Sequence, residues 1–170
     1  MADQDALYAA AAATFGPALE RLARAYDADG DRHRDLLQDI HVAVWQSLTR
    51  FDGRCSLRTW VYRVAHNVAI SQVTRRRASA PTLVGLEDID LATAVDDPDR
   101  AIDEQRALER LYLLIGRLKP FDRQVMLLYL EDMDAASIGE VTGVSAGNVA
   151  TKVHRIKAIL ARQFHDRGTR

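Results

Sequence analysis

The sequence has one cysteine, no apolar run long enough to cross a bilayer, and almost no net charge. Each shortage narrows what the chain can be. A single thiol, Cys55, rules out an intrachain disulfide and suits a reducing compartment, and it reads as a loop thiol without a role. A bilayer span needs about 20 consecutive apolar residues, and nothing here approaches that. The N-terminus carries Asp3 and Asp5 where a secretory signal would carry Lys or Arg, so the opening segment is expected to be a helix that stays in the cytoplasm. The five histidines (His33, His41, His66, His154, His165) contain no HExxH or paired-ligand spacing, and Cys55 has no CxxC partner. No glycine-rich phosphate loop or nucleophile elbow occurs. No catalytic residue, metal site or cofactor is therefore expected. Strand-like alternation is missing too, and helical periodicity runs nearly throughout.

What is present is a globular composition, 48% hydrophobic and 28% charged. The net charge of −1 hides a strong segregation. Residues 1–52 hold nine acids and five bases, whereas 53–86 hold six bases (Arg54, Arg58, Arg63, Arg75, Arg76, Arg77) and no acid. Residues 87–104 then hold eight acids against Arg100, and 141–170 hold six bases against Asp166. Two basic segments flank an acidic connector, so two phosphate-facing surfaces are compatible with a neutral total.

The pattern predicts a first helix over about 3–27, bent near Gly16-Pro17, and a second from Asp31 to Arg50. Ser56 would cap a third that reaches Arg75–Arg77. Periodicity fades from Ala78, and Asp97-Pro98 reads as a cap followed by proline at the start of a fourth helix ending near Leu118. Pro120 opens a fifth, ending near Glu131; Ala135–Thr142 and Ala146–Gln163 are the last two. The chain ends close behind that helix, so no further C-terminal domain is expected. The expected fold is all-α: one small helical domain over 1–77, an acidic flexible linker over 78–98, and a second helical domain over 99–170.

The C-terminal pair has helix-turn-helix spacing. Asp134 can cap the short helix, Gly143 suits a left-handed stop, and Ser145 can cap the long one. In that long helix Val149, Val153, Ile156 and Leu160 form one apolar stripe. Gly147, Thr151, His154 and Arg155 lie opposite, with Asn148 and Lys152 on the flank. Such groups reach base edges and phosphates, but a solvated face of an ordinary hairpin would look the same. Asn148 and Thr151 lie near the helix N-terminus, where recognition helices approach bases; Arg155 is expected to read a base and Lys152 to anchor a phosphate.

In the second helix Leu37, Ile40, His41, Val44 and Leu48 make the expected buried stripe. A separate face carries Asp35, Gln38, Asp39, Val42 and Gln46, where the lone apolar Val42 hints at a partner. The third helix is expected to bury Leu57, Trp60, Val61, Val64 and Val68. Its outer side would show Thr59, Tyr62, Arg63, His66 and Asn67, groups suited to unstacked bases or simply to solvent.

Two stretches resemble a known family. LKPFDRQVMLLYLEDMDAASIGEVTGVSAGNVATKVHRIKAIL resembles region 4 of the extracytoplasmic-function sigma factors. It carries the Leu118, Pro120, Arg123, Val125, Leu127, Leu128 entry and the closing Val149, Val153, His154, Arg155 run; Ala150 stands where the family usually has lysine. DLLQDIHVAVWQSLTRFDGRCSLRTWVYRVAHNVAISQVTRRR is similar to region 2. The match runs through Asp35, Leu36, Gln38, Asp39 and Trp45, then the Arg50, Phe51, Ser56, Leu57, Arg58, Trp60 junction, the Arg63, Ala65, Asn67 core, and Arg75–Arg77. The resemblance implies a sigma factor that binds core RNA polymerase through Asp35, Gln38, Asp39, Val42 and Gln46. It implies that Arg54, Ser56, Thr59, Tyr62, Arg63, His66 and Asn67 open the −10 promoter element. Ser145, Asn148, Thr151, Lys152 and Arg155 would meet the −35 element. Core polymerase and promoter DNA are the implied partners, an anti-sigma factor is an optional third, and no membrane insertion is expected. The linker acids (Asp88, Asp90, Asp96, Asp97) would suit a basic channel of the polymerase, or serve only as a spacer. A stand-alone helix-turn-helix regulator is the competing reading, which leaves 31–77 unexplained.

Overall fold

The computed structural model describes residues 2–79 and 100–165, all of whose regular structure is helical. In order these are α1 (Ala2–Tyr26), α2 (Gly30–Ser47), a 3₁₀ turn over Leu48–Arg50, α3 (Leu57–Ser79), α4 (Arg100–Gly116), α5 (Pro120–Leu130), α6 (Ala135–Thr142) and α7 (Ala146–His165). Ala78 and Ser79, expected to begin the linker, are instead the last turn of α3. The rest of the expected linker, with all of its acids and the Asp97-Pro98 start, lies outside the described residues.

The helix ends follow local side-chain chemistry. The Asp29 carboxylate accepts from the Asp31 and Arg32 amides at 3.1 Å each, satisfying donors that α2 cannot pair internally, and these bonds hold its pKa down. Ser56 Oγ accepts from the Thr59 amide at 3.0 Å and caps α3, as expected. Pro120 occupies the first turn of α5, and Asp134 caps α6 through the Ser137 amide at 2.7 Å. Gly143 ends α6 with φ 78°, a conformation that costs glycine little. Gly139 has a different reason: a Cβ there would lie 2.5 Å from the Val144 carbonyl oxygen, so only glycine lets the turn fold back this tightly. α1 continues through Pro17 as a single helix.

Helices α1, α2 and α3 pack together, α5, α6 and α7 form the second unit, and α4 bridges α1 and α5. The row Leu36, Ile40, Val44 and Leu48 is the buried stripe of α2. Ile40, Val44 and Leu48 are buried as expected, but Leu36 takes the place expected of Leu37, and Leu37 and His41 are only half-buried. There the Tyr8 hydroxyl meets His41 Nδ1 at 3.0 Å, and partial burial pushes the His41 pKa down.

The apolar core is not divided between the two units. Leu19, Leu22 and Tyr26 of α1 share one cluster with Val61 and Ala65 of α3 and with Ile115, Met126, Leu127 and Ile156 of the C-terminal half. A second cluster joins Val125, Leu128, Ile138, Val141, Val149 and Val153 to Ala18 and Tyr62 of the N-terminal half. Burying a side chain such as Leu128 or Ile138 stabilises by roughly 1.5–3 kcal/mol, so covering apolar surface also holds the halves together.

Candidate nucleic-acid and partner interfaces

The α7 face is built by a narrow apolar stripe. Val149, Val153, Ile156 and Leu160 are all buried, as the period predicts, which turns Asn148, Thr151, His154 and Arg155 to solvent. Ser145 Oγ accepts from the Asn148 amide at 3.3 Å, so it is occupied as a cap while its residue remains exposed. Thr151 Oγ1 donates to the Gly147 carbonyl at 3.0 Å. Lys152 departs from expectation: its ammonium is bonded to the Asp122 carboxylate and lies 5.1 Å from the Phe121 ring centroid. The cation is thus already paired within the protein. The cause is Asp122 in the first turn of α5, which the sequence alone did not bring near.

The α3 face is arranged otherwise. Thr59 and Tyr62 are each 2% exposed and His66 is fully buried, which overturns their expected place on an outer surface. Neighbours cover α3 on two sides. Toward α1, His66 Nδ1 and the Tyr26 hydroxyl are hydrogen-bonded at 3.0 Å with the rings edge-to-face. Burial pushes the His66 pKa down to about 3, so the ring is neutral near pH 7. Toward the C-terminal unit, Tyr62 joins the cluster around Leu128 and Ile138, and burial pushes its phenol up to about 12. Trp60, Leu57, Val64 and Val68, expected in the core, are half-buried, while Val61, also expected there, is fully enclosed together with Ala65 and Ala69. Small residues on α3 let α1 and α2 approach closely. Of the expected −10 group, Arg54, Ser56 and Asn67 remain exposed and Arg63 is half-covered. The loop bearing Arg54 is held in place by Phe51 against Trp60, 5.5 Å between centroids, and by the Trp60 indole, which donates to Ser47 Oγ at 2.9 Å.

The third surface lies on α2, where Asp35, Gln38, Asp39, Val42 and Gln46 are all exposed together. Gln72 of α3 donates to Asp39 at 2.5 Å. Val42 is 47% exposed and Trp45, one turn on, is 41% exposed. Its indole donates to Asp5 at 2.9 Å. Trp45, matched in the sequence only as part of a motif, thus joins this face. Its spacing of three from Val42 was the available signal. Together they form an apolar spot among carboxylates and amides.

Among the described residues no helix is long and apolar enough to cross a membrane, and no group of three His, Cys, Asp or Glu is placed to hold a metal ion.

Comparison with known proteins gives two family matches in order along the chain. Residues 12–79 match sigma-70 region 2, and residues 108–160 match sigma-70 region 4. The RNA polymerase sigma factor NccH of Alcaligenes xylosoxydans xylosoxydans is 28% identical over 149 residues, 85% of this chain and 80% of that protein. The ECF RNA polymerase sigma factor SigW of Bacillus subtilis is 24% identical over 140 residues, 78% of this chain and 75% of the relative. Among solved structures, that of CnrH in complex with the cytosolic domain of CnrY superposes with a TM-score of 0.67 at 22% identity, over 94% of this chain and 88% of the other. That likeness speaks to the fold.

Proposed function

This chain belongs to the extracytoplasmic-function sigma factors, and on that premise we propose how its three surfaces divide the work of promoter-directed initiation. The protein binds core RNA polymerase and directs it to promoter DNA. The observation that carries this is the succession of region 2 and region 4 on one folded chain, which a stand-alone helix-turn-helix regulator has no need of. In our reading the polymerase-binding and −10 unit runs from the N-terminus to the end of α3 at Ser79, a connector follows to residue 98, and 99–170 form the −35 unit. The chain works in the cytoplasm by binding, and bond-making is left to the polymerase.

On α2, Asp35, Gln38, Asp39, Val42 and Gln46, joined by Trp45, offer carboxylates around an apolar centre, a composition suited to a basic partner with an apolar contact. On α7, Asn148, Thr151 and Arg155 are free to enter a major groove with the Ser145 end leading, and Lys152 reaches phosphate only by leaving Asp122. At the start of α3 and along it, Arg54, Ser56 and Asn67 are the exposed members of the −10 group, Arg63 is half-covered with its guanidinium on the Glu140 carbonyl, and Thr59 and Tyr62 are buried. His66 supports that face from inside by fixing α3 to Tyr26.

The test is reconstitution with core polymerase and selection of transcribed promoters from a random library. Wild-type protein is expected to co-purify with core and select a two-part motif. Reversing Asp35 and Asp39 to Arg is expected to abolish co-purification while leaving the helical circular-dichroism spectrum unchanged. Near wild-type binding by that variant overturns the α2 assignment. Wild-type protein that ignores core polymerase but binds duplex DNA favours the stand-alone regulator.

A further inference from the structure

The first turns of α1 bury little. None of residues 3–10 is fully enclosed, Gln4, Leu7 and Tyr8 are half-covered, and Ala11 is the first core residue. What fixes this end of the helix is polar. Gln4 Nε2 donates to the Trp45 carbonyl at 2.8 Å, and the Trp45 indole N–H donates to Asp5 Oδ1 at 2.9 Å. The Tyr8 hydroxyl and His41 Nδ1 are 3.0 Å apart, with the two rings edge-to-face at 6.1 Å between centroids. Residues 4, 5 and 8 share one side of α1, while 41 and 45 share one side of α2, so the two helices run antiparallel here. The segment that matches sigma-70 region 2 begins at residue 12, so Gln4, Asp5 and Tyr8 all precede it.

Trp45 stands on a border. At about 100° per residue it projects between His41, which meets α1, and Val42, which belongs to the docking face. It is the largest apolar group on that face and is 41% exposed. An indole bonded only to water samples several rotamers, whereas one held by a carboxylate presents a single ring orientation to a partner. Setting a side chain before binding removes its ordering cost, worth about two- to tenfold in affinity. The same bond adds little to folding, because water replaces it when it breaks. We propose that Asp5 is a positioning residue for core-polymerase binding, fixing the Trp45 indole beside Val42, so that the docking face is built from two helices and not from α2 alone. Gln4 and Tyr8 keep the start of α1 within reach. The inference rests on the reading of α2 given above. Asp5 acts as a hydrogen-bond acceptor, a property that asparagine shares, and not through its charge.

The experiment measures binding of the full-length chain to core RNA polymerase for wild type, Asp5→Ala, Asp5→Asn, Trp45→Phe and the Asp5→Ala/Trp45→Phe double variant. Asp3→Ala, which removes a carboxylate from the same turn, controls for charge. Asp5→Ala is expected to weaken binding about fivefold with an unchanged urea midpoint, while Asp5→Asn and Asp3→Ala bind like the wild type. In the Trp45→Phe background Asp5→Ala is expected to have no further effect, since phenylalanine offers no N–H to hold. The two tryptophans give two indole cross-peaks in a nitrogen–proton correlation spectrum. That of Trp45 should move in Asp5→Ala and stay in Asp5→Asn, while that of Trp60, whose indole donates to Ser47, stays in both. Wild-type affinity of Asp5→Ala overturns the positioning role. So do equal losses in the alanine and asparagine variants, or an undiminished Asp5→Ala loss in the Trp45→Phe background. Failure of the α2 reading has a separate signature and overturns both: the Asp35 and Asp39 reversals and Trp45→Phe then all bind core polymerase like the wild type.

Discussion

The two faces proposed to meet nucleic acid differ in what packs behind and in front of them. α7 buries one narrow stripe and leaves the rest of its circumference to solvent, so its polar face is visible from the period of the stripe alone. α3 is covered twice, by α1 and α2 through Val61, Ala65, Ala69 and His66, and by the C-terminal unit through Thr59 and Tyr62. A polar or aromatic residue opposite an apolar stripe is therefore no guide to exposure on a helix with a second partner. Tyr62 shows the ambiguity best, since an amphipathic ring suits a stacked base and a core equally well.

The largest expected effect falls on Tyr62. Tyr62→Ala removes a 2%-exposed ring from the second cluster and is expected to cost about 3 kcal/mol in denaturant unfolding. Thr151→Ala on the exposed α7 face is expected to stay within about 0.5 kcal/mol. Equal costs would break the contrast. Asn67→Ala, at an exposed α3 position, should leave stability unchanged and impair open-complex formation. Permanganate reactivity at the −10 element reads this, and a pre-melted template restores activity.

The next effect sharpens the α7 side. Arg155→Ala is expected to cost about 1–3 kcal/mol, concentrated at one base pair of the −35 duplex. Equal losses on matched and singly substituted duplexes would make Arg155 a phosphate anchor instead. Lys152→Ala should change the salt slope by less than the ~1 unit of a free phosphate contact, because Asp122 already holds the ammonium. Asp122→Asn should steepen the slope by about that unit. A slope unmoved by Asp122→Asn would mean that Lys152 does not reach DNA even when released.

The smallest effect probes the inner side of α3. His66 has its folded pKa held below the unfolded value, at about 3, so its contribution to stability is full above about pH 6.5 and falls as pH drops. Between pH 6.5 and 5.5 the wild type is expected to lose about 1 kcal/mol more than His66→Phe does, read from urea unfolding of both proteins. Parallel profiles would show that His66 is not held neutral in the core.

Local chemistry made much of this legible in the sequence. The Asp134, Gly143 and Ser145 punctuation, the Ser56 cap and the Val149–Leu160 stripe involve partners within a turn or two of one another. Residue type and spacing therefore decide them before any tertiary contact forms. The motifs of both sigma regions are carried by the same local segments. Tertiary structure decided which polar residues stay outside. Tyr26 meets His66 across 40 positions, Arg63 meets Glu140 across 77, and Arg21 meets Glu131 across 110. No periodicity links such pairs. Their juxtaposition comes from burial of apolar surface shared by both halves, and that shared core, rather than the pattern along any one helix, leaves the proposed α7 face open and covers much of the proposed α3 face.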